Sequence, residues 1–364
     1  METVKLGDVL EYEQPTKYIV DSVNYDDSFT IPVLTAGKSF ILGYTDETTG
    51  VFDNLPVIIF DDFTTAFHYV DFPFKVKSSA MKILKPVKER ADIKYLYYKM
   101  QTISIDNDLH KRYWISKYSQ IQIPLPSLPQ QQKIANILDA TDALRQNDKA
   151  LIAKYDELTQ ALFLDMFGDP VSNPKGWEKV EMKKLCSFKK KNIKPEDIEE
   201  GENYVALDSI EKVTGNITTV YNVEKGELKS NKFWFDNSYI LYGKLRPYLN
   251  KVALPNFEGV CSTDIIPIQP ITTKSNKLFI TSILRHNSFV AFADERSSGA
   301  NLPRISPTEV EKYSTINPPL DLQNQFAERV AVIEEQKAIA QKSLEYSESL
   351  FNSLLQKAFK GELV

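Results

Sequence analysis

The sequence predicts an α+β protein in which two strand-rich globules alternate with two long helices. Residues 130–167 and 322–359 contain neither glycine nor proline, and their apolar residues recur at steps of three and four. The segments ahead of them hold short β-branched and aromatic runs broken by turn residues, for example Pro56–Phe60 and Ser238–Gly243. The predicted order is therefore globule, helix, globule, helix.

The first predicted helix has a narrow apolar stripe with heptad-like spacing, formed by Ile134, Ile137, Leu144, Leu151, Tyr155, Leu158 and Leu162. At 1.5 Å per residue the helix would be roughly 57 Å long. It ends at Gly168-Asp169-Pro170, a helix-stop sequence. So long a helix does not bury such a stripe alone, so we expect a partner helix.

The second helix repeats the first. A shift of 192 positions superposes them without a gap and aligns identical residues, namely Leu128 with Leu320, Gln131 with Gln323, Ala135 with Ala327, Leu158 with Leu350, Leu162 with Leu354 and Phe167 with Phe359. Both helices follow a proline-rich lead-in, at 123–126 and 317–320. Tandem halves that each own one unpaired helix predict two long antiparallel coiled-coil helices and a pseudo-two-fold molecule.

We place the domain boundaries at the helix ends. The first globule is residues 1–127, the first helix 128–169, the second globule 170–319 and the second helix 320–364. The formal net charge is −5, yet the second globule carries 21 basic against 18 acidic residues, while the other three segments are each net negative. Any binding to nucleic acid must then come from local basic patches.

Composition narrows the class of protein. With 364 residues, 42% hydrophobic and 26% charged, the chain resembles ordinary globular proteins. No apolar run approaches the roughly 18 residues of a membrane span. The N-terminus has no signal-peptide pattern, which leads us to expect a cytoplasmic protein. Two cysteines and three scattered histidines predict neither a disulfide framework nor a zinc site.

The order and spacing of several motifs resemble those of the specificity subunit of type I restriction–modification systems. These motifs are Ile123-Pro124-Leu125-Pro126, Gln131-Gln132-Lys133-Ile134-Ala135, Met166-Phe167-Gly168-Asp169-Pro170, Asn173-Pro174-Lys175-Gly176-Trp177, Ile240-Leu241-Tyr242-Gly243-Lys244-Leu245-Arg246-Pro247, Cys261-Ser262-Thr263-Asp264 and Ala358-Phe359-Lys360-Gly361-Glu362-Leu363. The resemblance implies that each globule is a target-recognition domain reading half of a split sequence in double-stranded DNA.

The same resemblance implies partners. The helices would act as a spacer and as the dock for two adenine-methyltransferase subunits, which bring in restriction and translocase subunits. It implies no catalysis within this chain. S-adenosylmethionine, and ATP with magnesium, would be bound by the partner subunits.

Candidate DNA-binding residues are basic, amide or tyrosine side chains in a lysine run, in turns and in loops. In the second globule they are Lys189, Lys190, Lys191, Lys244, Arg246, Arg296, Asn301 and Arg304; in the first they are Lys38, Tyr44, Lys111 and Arg112. Lysine neutralises phosphate, whereas arginine pairs with guanine and asparagine with adenine in the major groove. We expect 35–38 and 43–45 to be surface loops. A lysine run is equally typical of a solvated face, and an arginine in a turn can brace its own fold.

Two motifs suggest catalysis, and both have simpler interpretations. Asn317-Pro318-Pro319-Leu320 resembles the Asn-Pro-Pro-aromatic loop of amino-methyltransferases, but the aromatic residue and a cofactor loop are missing, so we interpret it as a helix lead-in. Asp61-Asp62 with Asp71 suggests a nuclease centre but is more typical of a turn. Two alternatives stay open: a coiled-coil interaction scaffold without DNA readout, and a self-contained adenine methyltransferase or nuclease.

Overall fold

The computed structural model describes residues 2–37, 39–104 and 113–363. It is a mixed structure of short strands and two long helices, and it divides into two compact units. Unit 1 comprises Met1–Lys149 and Gln341–Val364, and unit 2 comprises Ala150–Ala340. No helix within the described ranges is long and apolar enough to cross a membrane.

The elements up to the first long helix are β1 (Glu2–Lys5), β2 (Leu10–Glu13), β3 (Ile31–Leu34), β4 (Ile41–Thr45), β5 (Val57–Asp61), β6 (Phe67–Val70), β7 (Lys75–Val76), β8 (Met81–Pro86), α1 (Ile93–Gln101), α2 (Tyr113–Ser116), β9 (Gln122–Leu125) and α3 (Leu128–Phe167). Four strands form an antiparallel sheet in the order β2-β8-β5-β6. A second sheet has the order β4-β3-β7 with β3 and β7 parallel, and β1 pairs with β9.

The remaining elements are β10 (Lys179–Glu181), β11 (Cys186–Ser187), β12 (Asn192–Ile193), β13 (Glu202–Val205), β14 (Tyr221–Val223), β15 (Lys232–Phe235), β16 (Ile240–Gly243), β17 (Val252–Ala253), β18 (Gly259–Cys261), β19 (Ile265–Pro270), α4 (Lys277–Arg285), α5 (Asn287–Glu295), α6 (Pro307–Glu311), β20 (Ser314–Ile316) and α7 (Leu320–Lys360). Unit 2 contains sheets β11-β19-β16-β17 and β12-β15-β18-β13-β14, and the pair β10-β20.

The two units share one topology. The sheet β2-β8-β5-β6 corresponds strand for strand to β11-β19-β16-β17, and β1-β9 corresponds to β10-β20. The sheet β4-β3-β7 matches β14-β13-β18, including the parallel pair, and unit 2 adds β15 and β12 at the β18 side. The duplication predicted from the sequence is therefore present in the fold.

A buried glutamine marks the same place in each unit. The amide of Gln131 donates to the Pro126 carbonyl at 2.9 Å, and its oxygen accepts the Asp92 N–H at 2.8 Å. Gln323 donates to the Pro318 carbonyl at 2.8 Å and accepts the Asn276 N–H at 2.9 Å. These contacts join the start of each long helix to the cap of α1 or α4. Since α7 begins at Leu320, the interpretation of 317–320 as a helix lead-in is confirmed.

Each unit buries parts of both long helices in its core. In unit 1, Ile134 and Leu138 of α3 pack in one cluster with Phe351 and Ala358 of α7. The Arg145 guanidinium lies 4.3 Å from the Phe351 ring, and the Ser347 hydroxyl donates to Asp148 at 2.8 Å.

In unit 2, the rings of Phe163 and Phe167 lie 5.9 and 5.3 Å from that of Phe326. Farther along the same two helices, Lys337 forms an ion pair with Asp156. Lys337 is almost fully buried, whereas Asp156 is partly exposed, so the pair lies at the edge of the contact between the helices.

The predicted apolar stripe is wrong in its central part. Leu144, Leu151 and Leu158 are 51%, 41% and 48% exposed. In unit 1 the residues that contact α7 here are Arg145, one position after Leu144, and Asp148. Polar side chains therefore take part in the central contact, whereas the prediction counted apolar residues only.

The predicted loops of unit 1 also need correction. Residues 43–45 belong to strand β4, where Tyr44 pairs with Pro32 and Thr45 is buried. In the segment 35–38, Ala36 is fully buried. Surface loops and short strands both contain alternating small and polar residues. The sequence alone therefore did not distinguish a loop from a strand at these positions.

Candidate nucleic-acid interface

Three of the candidate DNA-binding residues, Lys38, Lys111 and Arg112, lie outside the described residues. Tyr44 is half-buried on β4, and its carbonyl accepts the Asp26 N–H at 3.1 Å. The adjoining segments 21–27 and 45–47 hold five carboxylates in sequence. Tyr44 therefore adjoins acidic segments. The basic candidates that the structure describes all lie in unit 2.

In unit 2 the structure joins the turn after β16 to the loop before α6. The Arg246 N–H donates to the Pro303 carbonyl at 2.7 Å, and the Ile305 N–H donates to the Lys244 carbonyl at 3.1 Å. Leu245 and Arg304 form a short antiparallel bridge. Candidates that lie about 60 positions apart in the sequence thus occupy one surface.

A single carboxylate organises the cations at this junction. Asp264 accepts hydrogen bonds from Arg304 Nε at 2.9 Å and Nη2 at 3.3 Å, and Lys244 Nζ lies 3.9 Å from it. The hydrogen bond from Arg304 lowers the pKa of Asp264, and the charges of Arg304 and Lys244 act in the same direction. The same bond raises the pKa of Arg304. Asp264 is therefore ionised and paired at neutral pH.

The lysine run of unit 2 lies against aromatic side chains. Lys190 Nζ lies 4.8 Å from the Phe233 ring centre, and Lys191 Nζ lies 4.3 Å from that of Trp234. Burial lowers the pKa of Lys190, and the charge of Lys244 lowers it further. Lys189 and Lys191 are exposed.

Arg246 differs from its neighbours in conformation and in pairing. Its backbone is left-handed, with φ 52° and ψ 67°, a region that non-glycine residues occupy rarely and that clusters at functional sites. Its side chain is exposed, and among the described residues no carboxylate forms an ion pair with it. Arg246 therefore presents a guanidinium with unused donors at the surface.

The other two candidates flank this loop. Arg296 lies 4.3 Å above the Phe292 ring and forms ion pairs with Glu309 at 3.6 Å and Glu295 at 3.8 Å, so its charge is largely compensated. Asn301 is exposed at the loop tip.

We call the surface formed by Lys244, Arg246, Asp264 and Arg304 the basic junction. It holds three cations and one anion. Sequence reasoning missed the role of Asp264, although its motif was noted, because the partners Lys244 and Arg304 are distant in the chain. A carboxylate followed by a buried strand gives no local signal of such a contact.

The Asp61-Asp62 pair has structural contacts. Asp61 accepts the N–H groups of Phe63 and Thr64, both at 2.8 Å, and so closes the turn after β5. Asp62 is buried, accepts the Trp114 N–H at 2.8 Å and lies 3.4 Å from Lys82 Nζ. Each carboxylate is thus used by the fold of unit 1.

Comparison with known proteins agrees with the duplicated fold. The specificity subunit of the Escherichia coli type I restriction enzyme EcoR124I/EcoR124II is 51% identical over 156 residues, which cover 40% of this chain and 39% of that protein. The EcoDI specificity subunit of the same organism is 29% identical over 199 residues, covering 53% of this chain and 43% of the relative. The chain therefore matches less than half the length of either relative.

A solved structure covers the whole fold. The crystal structure of the S subunit of a type I restriction–modification system from M. genitalium superposes with a TM-score of 0.58 at 14% identity, over 98% of this chain and 96% of that one. A family model described as the type I restriction modification DNA specificity domain matches residues 1–154 and 174–346, which together include most of both units. The chain therefore belongs to the type I restriction–modification DNA specificity family.

Proposed function

We propose that this chain is the sequence-specific DNA-recognition subunit of a cytoplasmic type I restriction–modification system. The observation that carries the proposal is the family match over both halves, joined to a duplicated topology in which each unit forms its own sheets and core. Two units of one fold with different surface residues suit a bipartite, asymmetric DNA target. In this function the chain itself performs no catalysis.

The proposed architecture is two target-recognition domains, 1–127 and 170–319, separated by the helices 128–169 and 320–364 as an antiparallel coiled coil. Contacts within each unit support the antiparallel pairing. Residue numbers rise along α3 from Arg145 to Asp148 where their partners on α7 fall from Phe351 to Ser347. Unit 2 repeats the pattern with Asp156 on Lys337 and Phe163 on Phe326. A pseudo-two-fold relation of the halves follows from this proposal.

The basic junction is the proposed DNA-binding surface of unit 2, together with Lys189, Lys190, Lys191, Arg296 and Asn301. The lysines of this surface would contact phosphates, and exposed arginine and asparagine side chains would read base edges. In unit 1 the proposed DNA-binding residues are Tyr44, Lys38, Lys111 and Arg112. The last three are proposed from the sequence alone. The proposed partners are double-stranded DNA, two methyltransferase subunits that bind S-adenosylmethionine, and restriction subunits that use ATP and magnesium.

Methylome mapping tests the proposal. The chain is co-expressed with its methyltransferase subunit in a host free of other adenine methylation, and methylated motifs are read by sequencing. We expect two different short half-sites separated by an unspecified gap, with centres on the order of 10 base pairs apart because both units would enter the major groove from one side of the duplex. A single continuous motif would contradict the two-reader model.

Direct binding distinguishes the alternatives. The full chain is titrated against duplex DNA carrying the mapped motif and against a scrambled duplex. A protein-interaction scaffold would bind neither duplex, and a self-contained methyltransferase would modify DNA without the partner subunit. We expect selective binding of the mapped duplex and methylation only in the presence of the partner.

A further inference from the structure

The loop before α6 is closed at its base and anchored through one side chain. Ser298 and Arg304 exchange backbone hydrogen bonds of 3.0 and 2.9 Å, which leaves residues 299–303 as the tip. Gly299 has φ 111°, a conformation that side chains rarely adopt, and Asn301 is exposed at the tip. The loop thus has a defined base and an accessible amide.

The Arg304 guanidinium is occupied by the protein. Nε and Nη2 donate to Asp264, and Nη1 donates to the Leu302 carbonyl at 3.2 Å. Three N–H groups of the guanidinium are therefore used within the protein. The pair of donors that would bind guanine, Nε and Nη2, already binds the Asp264 carboxylate. Arg304 therefore connects Asp264 to the loop tip, and its orientation is set by Asp264 and the Leu302 carbonyl.

Arg246 has the opposite environment. Its backbone N–H holds Pro303 of the same loop, so its position depends on the loop, yet its guanidinium has no ion-pair partner among the described residues. Among the arginine and asparagine candidates of unit 2, Arg246 and Asn301 are therefore the exposed ones whose side chains have no hydrogen-bond or ion-pair partner within the described residues.

We propose that Asp264 is a positioning residue for base selection by unit 2: through Arg304 it fixes the 298–304 loop, so that Arg246 and Asn301, rather than Arg304, contact the bases. This inference rests on the proposed DNA-recognition function. The other three side chains of the basic junction, Lys244, Arg246 and Arg304, are cations. Removing the Asp264 carboxylate should therefore affect affinity and selectivity in opposite directions, because a lost anion favours DNA binding in general while a loosened loop reads bases less well.

Bind-and-sequence selection with the full chain tests this inference, using a duplex library randomised over both half-sites and a scrambled duplex for non-specific affinity. For Asp264→Asn we expect discrimination within one half-site to fall roughly tenfold, while non-specific binding tightens roughly twofold or more. The matched control is Asp197→Asn, which removes an exposed carboxylate from the same unit and should leave discrimination unchanged.

A double-mutant cycle separates positioning from direct reading. Arg304→Gln should lose the same discrimination, and the double variant should lose no more than either single one, because both residues act through one contact. Arg246→Gln should relax preference at one base pair only. Should Asp264→Asn fold poorly by thermal unfolding, Arg304→Lys tests the same link, since an ammonium keeps the charge without the fork.

The outcomes are distinguishable. Unchanged discrimination in Asp264→Asn and Arg304→Lys, or additive losses in the double variant, would overturn the positioning role. A wild-type chain that selects no sequence would instead overturn the proposed function itself.

Discussion

The lysine run 189–191 offers a direct measure of phosphate contact by unit 2. Replacing all three lysines with glutamine removes three charges but keeps part of the aliphatic stems that cover Phe233 and Trp234. Each lost phosphate contact reduces the slope of log K against log salt by roughly 0.9. The exposed Lys189 and Lys191 should each contribute that amount, and the half-buried Lys190 less.

The magnitude follows from these contributions. The triple variant should lose a slope of about 1.8 to 2.7, so that between 50 and 200 mM salt its affinity falls about 12- to 40-fold less than that of the wild type. The assay is fluorescence anisotropy with a labelled non-specific duplex at five salt concentrations. The single variants then rank the three lysines.

A charge-matched control distinguishes local contact from net charge. Lys179, Lys183 and Lys184 are exposed lysines of the same unit, and Lys183 forms an ion pair with Glu181 at 2.6 Å. Replacing these three with glutamine changes the net charge equally and should leave the slope within about 0.5 of wild type. Equal slopes in both triple variants, or no change in either, would place the 189–191 run on a solvated face.

Three further predictions concern stability and specificity. Gln131→Leu leaves three backbone groups of unit 1 without a partner. It should lower the free energy of unfolding, measured by urea titration, by about 3 kcal/mol or more. The control Gln132→Leu changes the exposed neighbouring residue and should cost under about 0.5 kcal/mol. Exchanging residues 170–319 for those of a family member should alter one half-site in the mapped motif and spare the other. Burial lowers the pKa of His286 in the folded protein, so the unfolded chain binds the proton more readily. The free energy of unfolding should therefore fall as the pH drops below about 6.5. His286→Asn keeps an acceptor for the Ser288 N–H and should flatten this part of a plot of melting temperature against pH.

The duplicated order of elements was predictable because it has local signals. Absence of glycine and proline delimits α3 and α7 to within a few residues, and Gln131 and Gln323 align at the same shift as the helices. The two contacts that the glutamines share, with a proline carbonyl and with a helix-cap N–H, explain why that alignment is informative. A buried amide with backbone partners tolerates few replacements, whereas helical surface positions tolerate many.

The basic junction was only partly predictable. Lys244, Arg246 and Arg304 were identified by residue type and turn context, but the attachment of Lys244 and Arg304 to Asp264 depends on how β16 and β19 pair. Strand pairing between distant segments is not encoded in any one of them. The same limit explains why Arg304 was taken as a base-reading residue, although most of its guanidinium is used within unit 2.

The misplaced helix stripe has a physical cause that bears on specificity. Hydrophobic periodicity assumes that the contact face between helices is the most apolar one, yet Arg145, Asp148 and Asp156 occupy that face here. Apolar residues pack in many alignments, whereas Asp148 and Asp156 each have a specific partner on α7, namely the Ser347 hydroxyl and Lys337. Each polar contact therefore disfavours sliding of one helix along the other more strongly than a leucine would. In a subunit whose proposed role is to hold two readers at a set separation, a fixed helix register has more functional value than additional burial.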